Sequence, residues 1–335
     1  MNFRELGIKA IDFDAFENIK IGHAVNETAA TGCTVLIAED GMAAAVDVRG
    51  GGPASRETTL LQPLASADKI HAIVLSGGSA FGLEAGCGVA EFLEQKGIGY
   101  DTGFAKVPLV CQSCIYDLGV GSASVRPDKA MGREACEDAY TGRHKTARGN
   151  VGVGIGATVG KARGGEGMMK SGLGMYAMQM GQLKVGAMVA VNALGDIYDC
   201  DTHEKLAGQL NRRQDGFDDG ETELLKILST AEHDNLFTAN TTIGIVVTNA
   251  CYNKMELQRV ASASHNGYAR TIRPVHTSAD GDSIYAVSVG EVKANLDLVS
   301  AMATEAMARA VNDAVRSAGE KYGLFCARSM EREQF

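Results

Sequence analysis

The sequence has no tryptophan, only five prolines, and aromatic residues at just 6%. So few aromatics argue against large aromatic binding platforms. No apolar run approaches the ~18 residues needed to cross a bilayer. The first fourteen residues mix Arg4, Glu5, Lys9 and Asp12 with their apolar neighbours and form no signal-peptide core. No Lys/Arg-rich run occurs and the formal net charge is −9, so the basic patch of a nucleic-acid binder is missing. The expected setting is the cytoplasm, with neither a membrane nor a nucleic acid as partner. The seven histidines form no HExxH or HxH pair, so nothing points to a metal hydrolase, and no metal or cofactor is expected.

What is present is an ordinary globular composition: 335 residues, 45% hydrophobic and 22% charged. Forty-one glycines with so few prolines imply tight turns and close backbone packing rather than linkers. The eight cysteines are scattered. Cys111 and Cys114 form a CxxC, but a structural zinc needs about four ligands. The pair is therefore read as buried thiols on a strand or turn.

Short apolar runs with turn signals between them predict strands at Thr34–Ala38, Met42–Val48, Ala72–Leu75, Val107–Cys111, Val185–Val191, Ile243–Val247 and Ile284–Val289. Helical spacing is found over Phe81–Gln95, Leu224–Glu232, Lys254–Tyr268 and Lys293–Gly319. The order is mixed rather than alternating, which fits helices layered over stacked sheets. The polar stretch Asn211–Glu223 reads as an exposed loop.

Four local motifs carry possible chemistry. Asn150–Gly160 is glycine-rich, but a dinucleotide loop would need Gly where Val159 stands, so close packing or a glycine-lined site wall is expected. Ser79, after Gly77 and Gly78, lacks the GxSxG frame of a nucleophile and is expected to cap a helix. The Asn240-Thr241 pair opens a buried strand; with Thr242 it also forms a glycosylation sequon, irrelevant in a cytosolic protein. Asp280 and Asp282 stand two apart before another strand. On local grounds these last two read as a strand start and an Asp-Gly turn.

Taken together, the segments resemble the family of L-aminopeptidase/D-esterases, β-aminopeptidases and 6-aminohexanoate-oligomer hydrolases. The matching blocks are Ile21–Ala24, Thr31–Ile37, Val46–Thr58, Ile73–Gly86, Val107–Leu118, Gly149–Ala162, Met169–Gly174, Val189–Ile197, Asn240–Asn249 and Asp280–Gly290. They occur in order and cover most of the chain. The resemblance implies an αββα four-layer sandwich, similar to N-terminal-nucleophile hydrolases with different connectivity. It also implies one domain over 1–335 that cleaves itself into 1–240 and 241–335, and a homotetramer or larger homo-oligomer.

By the same resemblance Thr241 is the nucleophile and, once its amine is freed, its own base. Asn192 stabilises the oxyanion, Asp280 and Asp282 orient Thr241, and Lys170 is the active-site lysine. The Asn240-Thr241 junction is similar to the oligomer-hydrolase branch. The activity implied is hydrolysis of small-molecule or peptide amides through an acyl-threonine. Two other readings stay open: aminoacyl transfer from the same intermediate, and a degenerate homologue serving as an oligomeric scaffold.

Overall fold

The computed structural model describes residues 5–230 and 240–332. Nine strands carry the architecture: β1 (Ile8–Ile11), β2 (Lys20–Asn26), β3 (Thr31–Val48), β4 (Ile70–Ser76), β5 (Val110–Cys114), β6 (Leu173–Met180), β7 (Leu183–Asn192), β8 (Thr241–Ala250) and β9 (Ser283–Val292). One sheet runs β1-β6-β7-β8-β9-β3, antiparallel except for the β8/β9 pair. A second runs β2-β3-β4-β5, with β4 and β5 parallel.

Strand β3 belongs to both sheets. Residues 31–37 pair with β2 and β4, and residues 43–48 pair with β9. The two runs read separately in the sequence are thus one strand. Glu39 and Asp40 lie exposed at the break, and Gly41 takes a left-handed φ of 74° that an L side chain resists.

The layers follow from period-two alternation. Ile243, Ile245 and Val247 of β8, with Met188 and Ala190 of β7, point between the sheets toward Leu36, Ile73 and Leu75. The intervening Val246, Val189 and Val191 face α4 (Lys254–Thr271) and α5 (Leu296–Ser317). On the far side, Val35, Ile37, Ala72 and Val74 pack under α1 (Ala85–Gln95) and α2 (Lys129–Thr141). The stacking order is helices, sheet, sheet, helices, as the αββα expectation has it. Between α2 and α4 in sequence lies α3 (Gly220–Thr230).

Helix ends differ from the sequence expectation where local chemistry decides. Asn253 caps α4 in a capping box with Glu256, and Asn295 caps α5 by accepting from the Asp297 and Leu298 amides. α1 starts late, because Ser79–Glu84 form a 3-10 turn first. Ser79 makes no side-chain cap there; its φ of 53° and its backbone bond to the Ile115 carbonyl define its place. The helical pattern at 224–232 is α3, shifted to an earlier start inside the stretch read as a loop. Residues 231 and 232 fall outside the described residues. The buried strand near 107–111 is shifted to Val110–Cys114, while Val107 belongs to a short hairpin.

Helices come close to each sheet through glycine. A Cβ on Gly22 would stand 2.2 Å from the Ala135 carbonyl oxygen of α2, and one on Gly174 would stand 2.0 Å from that of Ala310 in α5. Backbone cannot yield as a flexible side chain does, so Gly22→Ala and Gly174→Ala are each expected to cost about 1–3 kcal/mol through overpacking. Chemical denaturation of the two variants checks this; an unchanged midpoint would show that the helices slide outward freely.

Candidate active site

The last rungs of the β7/β8 ladder bring Asn192 opposite Thr241. Both share the parity of residues that point between the sheets, so their side chains meet on the inner face at one end of the sandwich. Thr242 has the opposite parity and faces the helices. The Thr241 hydroxyl donates to the carbonyl oxygen of Asn240, the residue just before it. The same oxygen accepts from the Gly281 amide at 3.0 Å. The 280–282 turn runs directly beneath the nucleophile candidate: a Cβ on Gly281 would lie 2.9 Å from Thr241 Oγ1.

That turn is held from several directions. Asn240 and Asp280 form a parallel bridge. Asp280 Oδ2 accepts from the Thr277 hydroxyl at 2.6 Å and the Thr277 amide at 2.9 Å. Asp282 Oδ1 accepts from the Thr242 amide at 2.7 Å; its Oδ2 accepts from the backbone and ring of His276 at 3.1 and 2.9 Å. Behind it, the Arg49 and Gly52 amides donate to the carbonyls of Asp282 and Asp280 at 2.9 and 2.8 Å. A Cβ at Gly50 would come within 2.2 Å of the Asp280 carbonyl oxygen and one at Gly51 within 2.5 Å of that of Ser278, which explains the glycines at 50 and 51. Burial, then the Asp282 charge, pushes the Asp280 carboxyl up to about 6, against its Thr277 bonds and Lys161.

Asn192 is fixed as firmly. Its Oδ1 accepts from Lys161 Nζ at 2.8 Å and from the Thr158 amide at 3.1 Å, and its Nδ2 donates to the Tyr116 carbonyl at 3.0 Å. The neighbouring Asp117 is pinned by the Thr31 hydroxyl and the Gly78 amide, both at 2.7 Å. The paired glycines at 77 and 78 therefore brace Asp117 beside the site. Burial lowers the Lys161 ammonium to about 7, opposed by Asp280 and Asp117. The glycine-rich block carrying Lys161 forms a buried wall, the 3-10 turn Gly152–Gly156.

Among the described residues Lys170 makes no hydrogen bond or ion pair with Thr241, Asn192 or the aspartates. Its ammonium is enclosed by the carbonyls of Gly154 at 3.0 Å, Ala157 at 2.9 Å and Ser171. The lysine in contact with Asn192 is Lys161, nine residues earlier. Sequence reading missed it because it sits in a block explained by packing, and missed His276 because no motif marks it. The other sites read from sequence, Thr241, Asn240, Asn192, Asp280 and Asp282, do converge. Cys111 and Cys114 are buried thiols, both pushed up to about 12 by burial. Elsewhere, Cys200, Asp201 and Glu305 are close enough to share an ion, but Arg309 already pairs with both acids.

Residues 15–333 match peptidase family S58. The chain belongs to peptidase family S58. It is therefore a hydrolase of amide bonds. It is 37% identical over 316 residues to an uncharacterized aminopeptidase of Mycobacterium leprae, covering 88% of this chain and 85% of that one. It is 34% identical over 295 residues to the 6-aminohexanoate-oligomer endohydrolase of an Agromyces strain, covering 86% and 78%. In structure it superposes on the L-aminopeptidase D-Ala-esterase/amidase of Ochrobactrum anthropi, a variant of the Ntn hydrolase fold. There the TM-score is 0.69 at 16% identity, covering 99% of this chain and 98% of that one. A Burkholderia β-aminopeptidase gives 0.66 at 19% identity, covering 100% and 97%. Among the described residues of this S58 chain, no helix is long and apolar enough to cross a membrane.

The two buried lysines separate by experiment. Lys170→Met leaves three buried carbonyls without their shared donor and is expected to cost roughly 2 kcal/mol or more of stability. Lys161→Met is expected to abolish amide hydrolysis with a smaller loss of stability, since Asn192 Oδ1 keeps the Thr158 amide as a donor. Melting curves and turnover measured side by side check both; the opposite assignment of the two losses would return Lys170 to the site.

Proposed function

We propose that this peptidase is made as one chain, cleaves itself between Asn240 and Thr241, and then hydrolyses amides with the freed Thr241 as nucleophile. The observation that carries this is the Thr241 hydroxyl lying against the Asn240 carbonyl, whose oxygen already accepts from the Gly281 amide. A hydroxyl needs a base to attack. Before cleavage the Thr241 nitrogen is a peptide nitrogen and cannot serve. Lys161, brought to about 7, is neutral in part at physiological pH and supplies one.

In the first reaction Thr241 Oγ bonds to the Asn240 carbon and its proton passes to Lys161. Gly281 N–H stabilises the oxyanion. The C–N bond breaks, the Thr241 nitrogen takes the proton back, and the resulting ester is opened by water to leave an Asn240 carboxylate. The new α-amine, with a reference pKa of about 8, then accepts the hydroxyl proton when a substrate amide is attacked. Asn192 keeps a second N–H for the substrate oxyanion. Asp280 and Asp282 hold the turn under Thr241. Water finally releases the acyl group.

For substrate, the relatives' names include both aminopeptidases and 6-aminohexanoate-oligomer endohydrolases; the Asn-Thr junction, similar to the oligomer-hydrolase branch, favours amides of amino-acid oligomers over N-terminal residues of ordinary peptides. An assay of wild type on 6-aminohexanoate oligomers, β-amino amides and peptide amides decides among these. Adding a free amine to the same assay exposes acyl transfer if new amides appear.

Denaturing electrophoresis tests self-cleavage. Wild type is expected to run as two fragments and Thr241→Ala as one intact, inactive chain; an active wild type that stays intact would sink the proposal. The cleavage rate is expected to fall as pH drops below about 7, because Lys161 then holds its proton, and to level off above that. Lys161→Arg, protonated at every working pH, is expected not to cleave.

A further inference from the structure

Behind Asp282, on the helix side of the sheet, three rings are packed together. The centroids of His265 and His276 are 4.8 Å apart, those of His265 and Tyr268 5.4 Å, and those of Tyr268 and His276 6.2 Å. His265 Nε2 is committed to the Asp47 carbonyl at 3.0 Å. His276 is the member that reaches the site: its ring Nδ1 and its own backbone amide both meet Asp282 Oδ2. Its Nε2 has no protein partner among the described residues, so the bond to Asp282 is the ring's one directed hydrogen bond.

Asp282 is fully buried. A carboxylate there can only accept, which sets the tautomer: the proton on His276 sits at Nδ1. Three N–H groups thus converge on one buried carboxylate, and the third is the Thr242 amide, one residue after the nucleophile. The carboxylate is the only link between the ring cluster and the start of β8 that these hydrogen bonds make. Rotation of Asp282 would release the 241–242 peptide.

We infer that His276 is a positioning residue of this hydrolase, orienting Asp282 through its Nδ1–H so that Asp282 fixes the Thr241–Thr242 peptide for attack. The inference rests on Thr241 being the nucleophile, as proposed above. The backbone supports a dedicated role. His276 has a φ of 59°, a left-handed conformation that costs a residue with a Cβ and is kept only where the surroundings require it. In that conformation the amide and the ring of one residue point at the same oxygen.

The left-handed backbone also gives a clean test, because glycine and asparagine both tolerate it. His276→Gly removes the ring donor. His276→Asn keeps an N–H at the position of Nδ1. Self-cleavage is followed by denaturing electrophoresis, and kcat and KM are measured on the cleaved enzyme, with melting curves for each variant. The glycine variant is expected to slow both self-cleavage and kcat on the order of tenfold or more, with KM little changed. The asparagine variant is expected to recover most of both.

Should the glycine variant fail to fold, His276→Asp, similar in shape to Asn but with no N–H, takes its place beside the asparagine variant. The inference is overturned if the donor-less variant matches wild type. It is equally overturned if the asparagine variant is as slow as the donor-less one while melting like wild type, since the ring would then matter only for packing. A wild type that neither cleaves nor hydrolyses amides removes the nucleophile assignment instead, and this inference with it; wild-type activity with unaffected His276 variants removes the inference alone.

Discussion

The rung that joins Asn192 to Thr241 is the constraint on which the site depends. Strand β7 ends at one of these residues and β8 begins at the other, so the intervening chain leaves the sheet and returns to the same spot. Opposed residues in an antiparallel pair stand about 4.5–5.5 Å apart. Their common parity sends both side chains into the seam between the sheets, while Thr242 turns toward the helices. A one-residue slip of β8 would put Thr242 in the seam and Thr241 among the helices. The slip is opposed by the apolar alternation of Ile243, Ile245 and Val247, and by Asp282 holding the Thr242 amide.

Charges buried at this seam survive only because each is answered by hydrogen bonds. Lys161 and Lys170 make the point as a pair. Both are buried and both ammonium groups are lowered to about 7, chiefly by that burial. A perturbed pKa alone would therefore nominate either as the working lysine. Their partners decide. Three backbone carbonyls around Lys170 leave it a strut under the glycine wall, as three others do for Lys254 beside the 58–65 turn. Lys161 instead faces the Asn192 side chain and two carboxylates.

The layered fold was largely legible from the sequence, because alternation and helical spacing record burial directly. The strands at Val185–Val191, Ile243–Val247 and Ile284–Val289 lie within the observed ones. Residues 34–38 and 42–48 looked like two strands because the bend between the sheets exposes Glu39 and Asp40, which interrupts the apolar pattern without ending the strand. The convergence of Thr241, Asn192, Asp280 and Asp282 came from the resemblance, not from local pattern. Lys161 was hidden for a physical reason: a lysine among glycines looks like a solvated side chain, and only the tertiary structure shows it covered. His276 was hidden because its partner is a side chain six residues away, across a turn whose shape the sequence does not spell out.

On the proposed mechanism, one arrangement serves two reactions that differ in their base. In the intact chain the Thr241 nitrogen is acylated and has no basic lone pair, so a second group must take the hydroxyl proton. After cleavage the amine can do so at far shorter range. A lysine lowered to about 7 suits the first task and does not obstruct the second, since close to neutrality it shares its proton readily with a neighbouring carboxylate or amine. The Gly281 amide follows the same logic. It already bonds to the Asn240 oxygen, so it is placed for the oxyanion of self-cleavage without further movement. A substrate amide, arriving after the Asn240 end has separated from Thr241, can take that vacated position and meet the same donor together with Asn192. On the proposed mechanism, then, the peptide bond before Thr241 is the first substrate of the site and the template for those that follow.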